Sequence, residues 1–402
     1  MGYETYRIAD LIDEIAMGPF GSNIKVSCFV DSGVPVLNGS NLEGFSLSEK
    51  TFRYVTREKA DSLNKANAHR GDIVITHRGT LGQIVFIPQD SKYDRYVTSQ
   101  SQFRVRCNDK VLPEYLVYYF HTPIGQHKLL SNASQVGVPA LARPSSTFQQ
   151  IEVVLPELSI QKRVVEIIST IQKKIVNNQE LNDNLEQQAQ AYFQELFVDN
   201  SDPAWTLGTV SDIGTVVGGS TPSKSKPEYY TEDGIAWITP KDLSINKAKF
   251  ISHGENDITE LGLKNSSTSI MPEGTVLFSS RAPIGYIAIA SGEVTTNQGF
   301  KSVVPKPEIG TAYVYYFLKH NLPAIEGMAS GSTFKEVSGS TMKNVPAVIP
   351  DIEALACFNG FCAPIFAQQR ILEEQNQSLA ALRDGLLPKL MSGEIDVSGI
   401  QL

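Results

Sequence analysis

Two stretches of the chain carry a helical pattern of apolar residues that is longer than an ordinary helix. Residues 158–197 contain neither glycine nor proline, and apolar side chains recur there at intervals of three and four. This spacing places them on one face of an α-helix. A related pattern follows the last β-like run near the end of the chain, from residue 352. The pattern therefore predicts two long amphipathic helices.

Both helical stretches can be written as heptads with a mainly apolar seam. The seam residues are Ile168, Ile171, Ile175, Asn182 and Leu185 in the first helix and Ile365, Leu372, Asn376, Leu379 and Leu386 in the second. Asn182 and Asn376 occupy equivalent seam positions, and a buried seam asparagine fixes the register of paired helices while weakening the pair. We therefore predict that the two helices pack on each other. The alternative is that each stripe packs on its own globular domain.

Short strand-like runs precede each long helix. In the first half they lie at 34–37, 73–76, 84–87 and 103–106, bounded by glycine, proline, asparagine and serine. A helix is predicted at 114–120, and its counterpart at 312–318. A closing strand, at 151–155 or 345–349, ends at a proline in each half. The pattern predicts one mixed α/β segment before each long helix.

The order of these patterns repeats along the chain. GDIVITHRGTLGQIVF (71–86) matches GTVLFSSRAPIGYIAI (274–289), which pairs Arg78 with Arg281. Three further pairs of segments match in the same order, at 33–42 and 234–243, 98–100 and 296–298, and 137–156 and 331–350. Chance similarity would not keep this order, so the chain is predicted to be an internal duplication.

The duplication and the helices together predict the architecture. The fold class is α+β, with two pseudo-symmetric mixed α/β domains separated by two long helices that pack as an antiparallel coiled coil. The predicted boundaries are 1–157 and 199–351 for the domains and 158–198 and 352–402 for the helices. Forty helical residues span about 60 Å. A two-headed protein of this kind reads two equivalent surfaces, which on double-stranded DNA lie multiples of about 34 Å apart.

Composition and charge narrow the function classes. The 402 residues carry a formal net charge of −8, so bulk charge does not favour a protein that coats nucleic acid. Residues 158–200 and 352–402 contribute −2 and −3 of that charge. The two domains are neutral or mildly acidic, and any basic face there must come from local clustering.

The sequence also indicates the cellular compartment in which the protein is expected. No stretch reaches the roughly 18 apolar residues of a membrane helix, and the first residues do not resemble a secretory signal. Four scattered cysteines, Cys28, Cys107, Cys357 and Cys362, do not make a disulfide framework. We therefore expect a cytoplasmic protein without a membrane association.

No catalytic signature is present in the sequence. The phosphate-binding motif G-x-x-x-x-G-K-[ST], the dinucleotide motif G-x-G-x-x-G, and the H-E-x-x-H and G-x-S-x-G motifs are missing. Cys357 and Cys362 lack the second pair that a zinc site needs. We expect no catalytic residues, no metal and no cofactor, which favours recognition over catalysis.

Loops at matching positions of the two halves are rich in side chains that can read DNA. Arginine pairs with guanine, asparagine or glutamine pairs with adenine, and lysine holds phosphates. The candidate DNA-binding residues are Lys25, Ser40, Asn41, His77, Arg78, Thr80, Gln100 and Arg143 in the first half and Lys224, Lys241, Arg281, Asn297, Gln298 and Lys335 in the second. For each of them an ordinary structural role, such as a salt bridge or a satisfied amide, stays open.

With these residues in place, the whole chain resembles the specificity subunit of type I restriction–modification enzymes. The local marks are GDIVIT at 71–76, QKRVVEII at 161–168 and LLPKLMSGEI at 386–395. One departure is Pro364, which lies inside the expected second helix and should start or kink it there.

The resemblance implies a DNA sequence-specificity subunit that binds a bipartite double-stranded site, one half per target recognition domain. Two methylation subunits that use S-adenosylmethionine would dock on it and methylate adenine N6, and restriction subunits would translocate DNA with ATP. The chain itself would be non-catalytic. Because its two domains are neutral or mildly acidic, we expect it to bind DNA tightly only with its partners. Two alternatives stay open, a two-headed coiled-coil scaffold without a DNA role and an enzyme with an unfamiliar active site.

Overall fold

The computed structural model describes residues 2–19, 21–134, 137–331 and 335–399. Residues 332–334, part of the repeat match at 331–350, are thus outside the description. The chain forms two compact units. The first unit comprises residues up to 174 together with those from 379 onward, and the second comprises residues 175–378. No helix in the described ranges is long and apolar enough to cross a membrane.

The first unit contains two main sheets. The spatial order of the antiparallel four-stranded sheet is Ile12–Met17, Gln102–Cys107, Ile73–Thr76 and Ile84–Phe86. The order of the five-stranded sheet is Phe29–Val30, Arg53–Val55, Val34–Val36, Arg95–Val97 and Asn67–His69. Two ribbons complete the unit, Glu4–Arg7 with Glu152–Leu155 and Ala133–Ser134 with Ala140–Leu141.

The second unit repeats this plan. Its five-stranded sheet has the order Gly214–Gly218, Lys301–Pro305, Val276–Ser280, Ile284–Ala290 and Phe250–Ile251. Its four-stranded sheet has the order Tyr230–Thr231, Asn256–Ile258, Ile235–Ile238 and Thr295–Thr296, and the ribbon pairs Thr206–Thr209 with Pro346–Ile349. Four matched strands stand in the same order in each pair of sheets, so the duplication seen in the sequence is present in the fold.

Helices join and cover the sheets. The helices of the first unit are Arg57–Ser62, Pro113–His121, Pro123–Leu130 and Pro144–Gln149. Those of the second are Val210–Ile213, Pro240–Ile245, Glu260–Lys264, Thr311–His320, Leu322–Gly327 and Gly339–Lys343. The long helices are Leu158–Gln194, which is followed by a π-helical turn at Glu195–Asp199, and Ile352–Ser392. Short 3₁₀ turns lie at Ile8–Leu11, Gly21–Asn23, Val26–Cys28, Gly39–Leu42, Asn64–Ala66 and Pro227–Tyr229.

One aromatic helix fills the core of each unit. The helix predicted at 114–120 is Pro113–His121, and its counterpart is Thr311–His320. Both are buried almost all round, with Tyr115 and Tyr316 at most 1% exposed. A buried tyrosine hydroxyl needs a partner, and that of Tyr316 donates to Glu186 at 2.9 Å. Such continuous apolar burial explains why a short sequence run sufficed to predict these helices.

Within each unit, segments of the two long helices pack antiparallel. In the first unit Arg383 Nη1 donates to Gln172 Oε1 at 2.9 Å. In the second unit Asn178 Nδ2 donates to Asn376 Oδ1 at 2.9 Å, and Asn182 Nδ2 donates to Glu373 Oε1 at 3.3 Å. Residue numbers rise along one helix as they fall along the other. The predicted α+β fold with two long paired helices is confirmed.

The seam follows the predicted heptad in its middle and leaves it at one end. Ile168, Ile175, Ile365 and Leu372 are buried, and Ile171, Asn182, Leu185, Asn376, Leu379 and Leu386 are half-buried. Beyond Ala189 the buried positions are Phe193 and Phe197. These rings join the core of the second unit beside Tyr313, so the helix there follows its domain at an interval of four instead of the seam.

Pro364 does not start the second long helix, which begins at Ile352 and passes Pro364 without ending. Of the two outcomes expected for Pro364, a helix start is wrong and a kink stays a prediction. A proline inside a helix removes one hydrogen bond and crowds the carbonyl four residues earlier. That residue is Gly360, which is exposed and has open space around its α-carbon. Its carbonyl can therefore turn toward water.

Candidate nucleic-acid interface

In the first unit, three loop segments meet beyond the end of the strand Ile73–Thr76. His77 N donates to Ser101 O at 2.9 Å, and Leu141 N donates to His77 O at 2.9 Å. Gly79 N donates to Pro139 O, also at 2.9 Å. We call segments 77–80, 99–101 and 139–143 the first cluster. Backbone hydrogen bonds hold these segments together, so their side chains project from a fixed frame.

The second unit builds the same frame at the matching place. Ser280 N donates to Gly299 O at 2.7 Å, and Val337 N donates to Ser280 O at 3.0 Å. We call segments 280–283, 297–299 and 335–337 the second cluster. Segments far apart in the sequence thus meet in the same way in both units.

A fourth segment passes each cluster at very short range. A Cβ atom added to Gly18 would lie 1.9 Å from Ser99 O, and one added to Gly219 would lie 2.1 Å from Asn297 O. Only glycine allows this approach of two backbones. The chain then continues to Lys25 in the first unit and to Lys224 in the second, and both lysines are exposed.

The two arginines that the repeat pairs lie at matching loop tips. Arg78 is exposed, and the next residue, Gly79, has a φ of +91°. Arg281 is half-buried and is followed by Ala282, with a φ of +53°. The Nη1 atom of Arg281 lies 3.4 Å from Glu336 Oε2. A residue with left-handed backbone conformation therefore follows each arginine, and the two arginines lie in different electrostatic surroundings.

The amide side chains and the histidine of the clusters are partly engaged within the protein. Gln100 and Gln298 are exposed, and Gln298 Oε1 accepts a hydrogen bond from the Thr221 hydroxyl. Asn297 Oδ1 accepts from Gly299 N at 2.8 Å. Burial lowers the pKa of His77, so its ring is neutral near pH 7. These groups lie in the clusters and keep polar atoms at the surface.

Asn41 and Ser40 belong to a self-contained loop. Asn41 is 1% exposed, and its Nδ2 donates to Ser48 O at 2.9 Å and Thr51 O at 3.0 Å. The Ser40 hydroxyl donates to Asn38 Oδ1 at 2.6 Å. Because the Asn41 amide is buried and satisfied, we do not carry it forward as a DNA contact. Asn38 and Asn41 stand three residues apart, which is the spacing of a helix-capping pair. This spacing was the sequence signal for the structural role of Asn41.

The basic candidates fall into two groups. Lys241 forms an exposed ion pair with Glu255 at 2.5 Å. Lys25, Arg143, Lys224 and Lys335 are exposed, and within the described ranges none of them forms an ion pair. Thr80 is also exposed beside Arg78. Arg143 and Lys335 lie in the clusters themselves, where a cation can meet a phosphate.

The residues predicted from the sequence did not include Glu336 in the second cluster or Lys301 beside it. Glu336 Oε1 lies 3.5 Å from Lys301 Nζ, and Lys301 Nζ donates to Gln298 O at 3.4 Å. Comparing the two halves could have found them, because the first half has uncharged residues at both places.

In the described ranges, no group of three or more His, Cys, Asp or Glu side chains is arranged to hold a metal ion.

Comparisons with known proteins agree with this geometry. Residues 2–187 and 204–386 match the model of the type I restriction modification DNA specificity domain. The type I restriction enzyme MjaIX specificity subunit of Methanocaldococcus jannaschii is 44% identical over 163 residues, which make up 40% of this chain and 38% of that protein. The HindI specificity subunit of Haemophilus influenzae is 24% identical, over 81% of this chain and 87% of that one.

A solved structure extends the comparison to the fold. The crystal structure of the type I restriction–modification S subunit from M. genitalium matches with a TM-score of 0.61 at 15% identity. The match covers 97% of this chain and 96% of that one. At this identity the likeness concerns the fold.

Proposed function

This chain belongs to the type I restriction–modification DNA specificity family, and on that premise we propose that it reads a bipartite site on double-stranded DNA, one half with each cluster. The observation that carries the proposal is the repetition of the cluster. Both units bring an arginine loop, a glutamine-containing loop and a third segment together through matching backbone hydrogen bonds. Two equivalent reading surfaces are what a two-part site requires.

The side chains of the clusters suit base edges in the major groove. The guanidinium groups of Arg78 and Arg281 can donate to both acceptors of guanine, and the amides of Gln100 and Gln298 can pair with adenine. The exposed Lys25, Arg143, Lys224 and Lys335 suit phosphates, which position the protein without reading sequence. Specificity is therefore assigned to the loop tips and orientation to the surrounding cations.

The long helices are the proposed docking surface for partner subunits. Their outward faces expose apolar side chains, with Leu181 at 45%, Ile371 at 46% and Leu382 at 50% exposure. Two methylation subunits that carry S-adenosylmethionine would bind there and methylate adenine N6, and ATP-dependent restriction subunits would join the complex. In the cytoplasm, the chain would determine which DNA sequence is bound and how far apart the two half-sites lie. It would catalyse no reaction of its own.

Single-molecule sequencing of methylated DNA tests the proposal. Cells that express this chain with methylation partners should carry a bipartite adenine-methylated motif, and deletion of this gene alone should remove it. An unchanged methylation pattern would contradict the proposal.

Binding of the assembled complex to duplex DNA separates this function from the scaffold alternative. Phosphate contacts release counterions, so affinity should fall steeply with added salt. No measurable DNA binding with the methylation partners present would favour a protein-interaction scaffold.

A further inference from the structure

An acidic side chain lies inside the second cluster, where a surface that meets DNA would be expected to be basic. The Glu336 carboxylate is shared by two cations, with Oε2 3.4 Å from Arg281 Nη1 and Oε1 3.5 Å from Lys301 Nζ. The side chain of Glu336 is 37% exposed and that of Lys301 16%. A carboxylate kept at this place repels phosphate, so its presence needs a specific reason.

The backbone around Glu336 is held on both sides. Glu336 N donates to Ser330 O at 2.9 Å, and Ser330 N donates back to Glu336 O at 3.1 Å. The next residue, Val337, is fully buried and bonds Ser280. The backbone that carries the Glu336 carboxylate is therefore held in place beside the arginine loop.

The Arg281 loop is also held in a demanding conformation. Ala282 has a φ of +53°, a left-handed value that a side chain disfavours, and the matching residue of the first unit, Gly79, has a φ of +91°. A non-glycine residue in this region persists where the surroundings over-determine it, and such residues cluster at functional sites. The turn that follows the arginine is thus kept in both units although only one of them has glycine.

At the two described positions of the first unit that match Glu336 and Lys301, the residues are uncharged. Leu141 N donates to His77 O as Val337 N donates to Ser280 O, so Ala140 takes the place of Glu336 in the first unit. The ungapped sequence match of 137–156 with 331–350 had placed Ala142 there, two residues away. Phe103 pairs with Met17 as Lys301 pairs with Gly218, so a buried phenylalanine takes the place of Lys301. The two units therefore present their arginines differently.

We infer that Glu336 is a positioning residue that determines specificity in the second half-site, by fixing the guanidinium of Arg281 so that it reads a guanine. The guanidinium has five N–H donors, and a carboxylate on one edge leaves the rest to face the two guanine acceptors. Lys301 balances the added charge. This inference rests on the proposed function and names the base that one of its residues reads.

The test compares methylation motifs made by the assembled complex with wild-type and variant chains. Glu336→Gln keeps the shape and removes the charge, and it should reduce discrimination at one G·C position of one half-site about tenfold. Arg281→Ala should relax the same position, and the double variant should relax it no further because the two side chains act as a unit. Arg78→Ala should affect only the other half-site, which identifies the halves.

Glu308→Gln is the matched control, because it removes the same charge from an exposed position of the same unit. The motif of this variant should be unchanged, and the thermal midpoints of all variants show that they are folded. The inference is overturned if Glu336→Gln leaves the motif intact, relaxes a position that Arg281→Ala does not, or lowers methylation equally at all sequences. If the wild-type chain itself specifies no bipartite motif, the proposed function fails instead.

Discussion

Lys249 is a buried cation in the second unit, 7% exposed. Its ammonium group lies over three aromatic rings, at 4.9 Å from the Tyr315 centroid, 5.3 Å from Tyr316 and 4.4 Å from Phe366. It forms an ion pair with Glu186 of the first long helix. Burying a charge is costly unless it is paired, so the ion pair links Lys249 to the long helix. Removing either partner alone would leave an unpaired buried charge and destabilise the fold.

Removing one member of this pair should destabilise the protein strongly. Glu186→Gln leaves Lys249 without its carboxylate, and we expect a loss of about 3–5 kcal/mol. Lys249→Met keeps the apolar stem on the aromatic rings, so the double variant should recover most of the loss. Thermal and denaturant unfolding measure the free energy of unfolding of the three variants and the wild type.

The control for that measurement is the exposed pair Lys241–Glu255, whose side chains are 61% and 60% exposed. Glu255→Gln should cost much less than Glu186→Gln, because solvent screens an exposed ion pair. Equal losses for Glu186→Gln and Glu255→Gln would show that the buried pair is not an anchor.

Glu186 also predicts a pH dependence. Burial by itself would raise the pKa of this carboxyl, but Lys249 and Lys319 more than offset burial and lower the pKa to about 2. A lowered acid pKa stabilises the fold above the unfolded value of 4.5, and that contribution is lost as the pH falls from 4.5 toward 2. The thermal midpoint of the wild type should fall over this window more steeply than that of Glu186→Gln. Parallel curves would contradict the assignment.

At the scale of elements, the long helices combine apolar burial with polar seam contacts. Asn178 is 2% exposed and donates to Asn376 of the opposite helix at 2.9 Å. A slip of the helices would break this bond and leave a buried amide without a partner, so the pair specifies the register. Heptad reasoning located Asn182 and Asn376 on the seam. It did not assign their partners, because a partner depends on the relative register of two distant segments.

The length of these helices should set the gap between half-sites. Four residues inserted between 177 and 185, with four more inserted between 371 and 379 of the second helix, keep the seam nearly in phase because a turn has 3.6 residues. Each helix lengthens by about 6 Å, so the gap should grow by about two base pairs. Sequencing of methylated motifs measures the gap. The control is a chain of unchanged length in which four exposed residues are substituted. An unchanged gap would show that the helices are not the ruler.

At the scale of the whole molecule, the chain is two units built to one plan, with the same strand order and the same cluster in each. Each cluster is assembled entirely from segments of its own unit. Recognition of one half-site should therefore be independent of the other.

Exchange of domains tests this independence. Replacing residues 1–157, the proposed first domain, with those of a relative that reads another site should change one half of the methylated motif and preserve the other. Exchange of residues 199–351 should do the converse. A change of both halves in either chimera would contradict the two-reader arrangement.

The amino-acid sequence by itself determined the duplication, the α+β class and the two long helices. Periodicity and repeat order are properties of neighbouring residues, and the aromatic helices at 114–120 and 312–318 are buried enough for local pattern to suffice. Only the tertiary structure decided which polar side chains serve the fold. Asn41 bonds carbonyls of its own loop, Gln298 accepts from Thr221, and Arg281 meets Glu336. Gln298 and Arg281 find these partners in segments far away in the chain, and such contacts leave no periodic signal in the sequence.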